Sequence, residues 1–200
     1  MINSYHFVEK LSDALPKGEI IITGVGVSYT GTHQSIKLKK NQRFISNIGC
    51  GGMGYGLPAA IGAALASGKR VTLIDGDGGL QMNIQELQTI VHHKLAIKIF
   101  ILNNQGYHAI RITQQTYFKR FGGIDKETGV SFPNLKKIAW AYGIPYVQAS
   151  STRQLPAVIK KVLDKKGPVI CEIFMPKDQK LLVFAKSLYK PTKFPSSNEK

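Results

Sequence analysis

Four near-continuous apolar runs, each ending at a turn or loop, constrain this chain more than any other feature. They are Ile20-Ile21-Ile22-Thr23, Arg70-Val71-Thr72-Leu73-Ile74, Ile97-Lys98-Ile99-Phe100-Ile101-Leu102 and Pro168-Val169-Ile170-Cys171-Glu172-Ile173-Phe174. An exposed strand face would alternate apolar and polar residues. Runs this continuous suit parallel strands covered on both sides. Helical spacings separate them. Tyr5, Val8, Leu11 and Leu15 mark one helix, and an Ala-rich stretch from Leu57 to Ser67 marks another. Ile84–Val91, Asn134–Tyr142 and Leu155–Leu163 predict three more. Strand and helix alternate, so the fold class is α/β: a three-layer arrangement with a mainly parallel sheet and helices on both faces. At 43% hydrophobic content the chain can bury the core this requires.

In open parallel sheets ligands bind beyond the C-terminal strand ends. Three of the runs end in residues suited to that task. The first ends at Gly24-Val25-Gly26, the second at Asp75-Gly76-Asp77-Gly78-Gly79, and the third at Asn103-Asn104. Asp77 follows a buried strand, where a carboxylate needs a reason to be. Its flanking glycines let backbone come close to a ligand. Asn104 adds a neutral amide oxygen. Carboxylate, amide and backbone carbonyl are hard oxygen donors that suit Mg²⁺ or Ca²⁺, and Mg²⁺ usually completes its shell with phosphate and water. A metal-bridged diphosphate is the ligand this chemistry describes. The helix after Asn83 is expected to turn its N-terminus toward it.

Gly76-Asp77-Gly78, 24 residues and then Asn103-Asn104 resemble the thiamine diphosphate signature. The likeness extends to Gly51-Gly52-Met53-Gly54-Tyr55-Gly56-Leu57-Pro58 and to Asp75 through Leu87, which are similar to the acetolactate synthase family, and it covers about residues 3 to 185. The resemblance implies a six-stranded thiamine-diphosphate-binding fold over residues 1–185, with 186–200 as a C-terminal tail. It implies that Asp77, Asn104 and the Gly106 carbonyl ligate Mg²⁺. Gly76, Gly78 and Gly79 would meet the diphosphate, with Gly26, Ser28, Gly51 and Tyr107 in the same cofactor site. Met53 matches the apolar wedge between the cofactor rings; ordinary core packing is its alternative. His108, four residues after Asn104, is either an acid/base or substrate-positioning group, or a structural histidine.

Departures from the family pattern fall on the substrate side. Val27-Ser28 stand where acetolactate synthases usually have Gln-His, and the run Tyr107-His108-Ala109-Ile110-Arg111 lacks the tryptophan of the second-substrate pocket. The metal and wedge positions are intact. The stretch looks closer to acetolactate-synthase-like enzymes of other pathways, such as surface-sugar biosynthesis. The family implies a second, pyrimidine-binding domain or subunit, a small 2-oxoacid substrate, and a homo- or hetero-oligomer. A β-type subunit of a two-chain 2-oxoacid decarboxylase and a non-catalytic remnant are the alternatives.

A net charge of +15 raises nucleic-acid binding. No groove-reading motif or aromatic-basic ladder accompanies the charge, so a solvated or partner-facing surface is expected instead. Cys50 and Cys171 lack metal spacing, and His92-His93 are expected to point apart on a helix rather than form a metal site. No apolar run is long enough for a membrane span, and Met1–His6 carries no secretion pattern, so a cytoplasmic location is expected. Trp140 and Tyr142 are expected in the core or an interface.

Overall fold

The computed structural model describes residues 1–181. The tail expected at 186–200 lies outside the described residues. The chain starts with α1 (Ser4–Ala14), whose first turn is capped by the Asn3 side chain accepting from the Tyr5 N–H at 2.9 Å. Next come β1 (Ile20–Thr23), α2 (Val27–Ser35), β2 (Arg43–Ser46), α3 (Gly56–Ser67) and β3 (Val71–Gly76). Two short helices follow, α4 (Asp77–Gln81) and α5 (Glu86–His92), then β4 (Ile97–Asn103) and α6 (His108–Thr113). The last elements among the described residues are α7 (Leu135–Ala141), β5 (Tyr146–Ala149), α8 (Leu155–Asp164) and β6 (Val169–Phe174).

All six strands are parallel, in the order β2-β1-β3-β4-β6-β5. The four apolar runs form the four central strands, and the α/β class is as expected. Strand alternation divides the core in two. Ile97, Ile99 and Ile101 of β4 face α3, α5 and α7, whereas Phe100 and Leu102 face α1 and α8. Both faces are therefore covered, which is why the runs have no polar alternation.

The two strands that no apolar run marked, β2 and β5, are the edges of the sheet. Each is only partly buried. Trp140 is 84% exposed on α7, so it is not a core residue. His92 and His93 do not point apart: His93 lies past the end of α5, and its ring meets His92 edge-on at 4.8 Å.

β1 leads through α2 to β2 on one side, and β2 leads through α3 back across β1 to β3. The strand order reverses between β1 and β3, and a crevice opens there above the C-terminal ends. The opposite end of the sheet is closed by a polar cluster. Buried Glu19 accepts from Arg70 and from the Thr72 hydroxyl, while buried Lys98 donates to the Lys165 and Gly167 carbonyls. Burial pushes the Lys98 ammonium down to about 8.

Candidate cofactor site

A cavity of about 300 Å³ occupies this crevice, and the turns after β1, β3 and β4 all reach it. Gly26, Gly51, Met53, Gly76, Asp77, Gly78, Gly79, Asn104, Gly106, Tyr107 and His108 line it. Ser28 is not among the lining residues. Its side chain is buried and its hydroxyl donates to the Val25 carbonyl at 2.8 Å, so it braces the first turn of α2 from within. The helix that starts at the cavity is α4, beginning at Asp77; α5, expected to point its N-terminus there, starts nine residues later at Glu86.

Asp77 ties two of the turns together. One carboxylate oxygen accepts from the Gly78 N–H at 3.0 Å and the other from the Gly106 N–H at 3.3 Å. The group is 8% exposed, and burial pushes its pKa up to about 7. Asn104 is also buried. Glycine is required at 106, because a Cβ there would lie 2.3 Å from the Ile124 carbonyl oxygen. That carbonyl accepts from the Tyr107 N–H at 2.8 Å. The Tyr107 ring packs edge-on against Phe132 and leaves no room for a Cβ at Gly78. The two turns thus interlock through the Asp77 carboxylate on the Gly106 N–H and the Tyr107 ring against Gly78, while Gly106 admits the Ile124 backbone.

A second carboxylate lies beneath them. Asp75 is fully buried, accepts from the Gly76 N–H at 2.8 Å, and has one oxygen with no hydrogen-bond partner. Burial pushes its pKa up to about 7. Gly24, Gly56 and Gly79 press against it from three segments, and a Cβ at Gly24 would fall 1.8 Å from its oxygen.

Met53 lines the cavity and is 40% exposed, so it is not filling a gap in the core. His108 is buried at the start of α6, and its Nε2 donates to the Gln179 carbonyl at 2.7 Å. Burial lowers its pKa, so the ring is neutral near pH 7 and carries its proton on Nε2. Gln179 is in turn fixed by two side-chain hydrogen bonds to Ser4.

Tyr29 on α2 and Asn47 and Ile48 after β2, which no sequence motif marks, also line the cavity, as do Ala109 and Ile110 of the substrate-side run on α6. Ile48 and Ile110 are 64% and 47% exposed, so the mouth is apolar. Asn47 and Ile48 follow an edge strand with no apolar run to announce it. Among the described residues no group of three or more His, Cys, Asp or Glu is placed to hold a metal. A cation in this cavity would have one carboxylate and neutral oxygens. Among the described residues, no helix is long and apolar enough to cross a membrane.

Comparison with known proteins agrees with this geometry. Residues 24–173 match the family model described as thiamine pyrophosphate enzyme, C-terminal TPP binding domain. The chain is 38% identical over 177 residues to chloroplastic acetolactate synthase 2 of Zea mays, covering 85% of this chain and 28% of that protein. It is 37% identical over 178 residues to chloroplastic acetolactate synthase 2 of Nicotiana tabacum, covering 85% and 27%. It is 36% identical over 180 residues to the chloroplastic acetolactate synthase of Arabidopsis thaliana, covering 86% and 27%. The chain thus spans little more than a quarter of the length of these relatives. The matched span takes in the turns after β1, β3 and β4 together, and the chain belongs to the family of thiamine pyrophosphate enzymes through their C-terminal TPP-binding domain.

Proposed function

We propose that this chain binds the magnesium-diphosphate end of thiamine diphosphate as one half of the active site of a 2-oxoacid decarboxylase or carboligase resembling acetolactate synthase. The observation that carries the reading is the joining of Asp77, Asn104 and Gly106 in one cavity at the point where strand order reverses.

The donor set fits the group. Asp77 is a buried carboxylate held by backbone N–H groups alone, and burial has raised its pKa; a divalent cation would compensate that cost. Asn104 supplies an amide oxygen and Gly106 a backbone carbonyl, both suited to Mg²⁺. Gly76, Gly78 and Gly79 let the chain approach the diphosphate closely, and Gly26, Gly51 and Tyr107 complete the wall.

When bound, thiamine diphosphate supplies the means to stabilise the carbanion left by 2-oxoacid decarboxylation. The protein's share is orientation and exclusion of water. Met53, part of the cavity lining and 40% exposed, would give a bound cofactor apolar support. Ala109 and Ile110 border the mouth, where an apolar surface keeps water from the reacting end. His108, neutral and anchored to Gln179, offers Nδ1 as a hydrogen-bond acceptor for substrate positioning.

A pyrimidine-binding domain, in the same protein or in a separate subunit, completes the site in an oligomer. Identity of 36–38% to acetolactate synthases supports this reading over a two-chain β-type subunit. The test combines the chain with a pyrimidine-binding domain from an acetolactate synthase and follows CO₂ release from pyruvate. Release that needs both proteins, Mg²⁺ and thiamine diphosphate supports the reading. A mixture that binds the cofactor and releases no CO₂ from any 2-oxoacid tried contradicts it.

A further inference from the structure

Asn103, the last residue of β4, is held on every side. Its carbonyl accepts from the Met175 N–H at 2.8 Å. Its amide nitrogen donates to Glu172 at 2.5 Å, and its side-chain oxygen accepts from the Gln105 N–H at 2.9 Å. Glu172 lies on β6, buried to 6% exposure, and its other oxygen accepts from the Tyr146 hydroxyl of β5.

The sheet register explains the contact. Asn103 pairs with Phe174 and Ile101 pairs with Glu172, so Glu172 sits diagonally across from Asn103 on the same sheet face. That diagonal is within reach of a long side chain. Tyr146 lies diagonally from Glu172 in the same way, since Gln148 is its direct partner. Burial holds the Tyr146 hydroxyl above its usual pKa, so it remains a donor.

Gln105 adopts a left-handed backbone, φ 59°, which a residue with a side chain enters at a cost. The Asn103 side chain holds it there through the Gln105 N–H. This residue lies between Asn104 and Gly106, so its conformation fixes how those two residues are set relative to each other. A buried carboxylate in the sheet is thereby connected to the turn through one amide.

We propose that Glu172, oriented by Tyr146, is a positioning residue that fixes the Asn104–Gly106 turn for cation binding through Asn103. The cation is the one in the function proposed above, and the inference rests on that reading. Metal sites generally depend on such outer partners, whose loss costs roughly 10- to 100-fold in metal affinity.

The test uses the full chain with Glu172→Leu, Glu172→Gln and Tyr146→Phe. Two readouts are taken: amide hydrogen exchange at Gln105 in the turn against Ile101 in β4, and magnesium-dependent binding of thiamine diphosphate with a pyrimidine-binding domain present. In Glu172→Leu, protection at Gln105 should fall about tenfold, the size of one lost hydrogen bond, while Ile101 is unchanged. Cofactor affinity should fall by at least about tenfold. Glu172→Gln keeps an acceptor for Asn103 and should retain most of both, and Tyr146→Phe should show a smaller loss at Gln105. Equal changes at Gln105 and Ile101 would reduce Glu172 to a sheet-stiffening residue and overturn the proposal. So would unchanged Gln105 protection. If Glu172→Leu does not fold, wild-type protection at Gln105 in Tyr146→Phe overturns it instead. Exchange needs no ligand, so a wild-type chain that fails to bind the cofactor with a pyrimidine-binding domain present refutes the proposed function while the exchange data still decide the link from Glu172 to the turn.

Discussion

The Asp77 carboxylate accepts a hydrogen bond from the Gly106 N–H at 3.3 Å, across 29 residues of sequence, and so joins the turn after β3 to the turn after β4. A carboxylate buried in this way, with only N–H partners, is costly to keep charged. The same holds for Asp75 beneath it.

This cost sets a pH dependence for the metal-free chain. Burial raises Asp75 and Asp77 from 3.8 to about 7, so between those values the folded state binds more protons than the unfolded state. The contribution of these two groups to stability is therefore fully present below about pH 4, declines as pH rises through 7, and levels off above. Urea midpoints at about pH 5 and about pH 8 check this. The midpoint should be lower at the higher pH, and Asp77→Asn should reduce the difference. A midpoint independent of pH would contradict the assignment of both groups.

Crowding around Asp75 gives a second prediction. Gly24→Ala places a Cβ 1.8 Å from the Asp75 oxygen and should cost about 1–3 kcal/mol, the usual range for overpacking. Asp75→Ala in the same chain should recover part of that loss, and a double-mutant cycle by urea unfolding measures the coupling. Additive effects would mean that Gly24 is required for a reason other than Asp75.

At the far end of the sheet, Arg70 neutralises Glu19, whose side chain is 4% exposed. Arg70→Met leaves that carboxylate buried with the Thr72 hydroxyl as its remaining side-chain donor, and should cost about 3 kcal/mol by chemical denaturation. By contrast, Trp140→Ala should change stability by less than about 0.5 kcal/mol, because the ring is 84% exposed.

Legibility in the sequence followed burial. The four central strands were readable because both of their faces are covered, which leaves an unbroken apolar run. β2 and β5 are edges with partly exposed residues, and nothing in Arg43–Ser46 or Tyr146–Ala149 distinguishes a strand from a loop. The candidate site was legible where chemistry demands a residue type: Asp77, Asn104 and the glycines around them. It was not legible where the role comes from tertiary contact. Ser28 has a side chain suited to a site and spends it on Val25. Asp75 stands two residues from Asp77, and only packing separates a residue lining the cavity from one beneath it. Glu172 reads as an interruption in an apolar strand, and its diagonal relation to Asn103 exists only in the assembled sheet.

The central claim is tested most directly by calorimetric titration of thiamine diphosphate into the chain, complemented with a pyrimidine-binding domain, with Mg²⁺ and then with chelator. Wild type and Asp77→Ala are compared. Binding that requires Mg²⁺ and is lost in Asp77→Ala is the predicted result. Binding that survives chelator or Asp77→Ala, or no binding at all with the complementing domain present, would contradict the account.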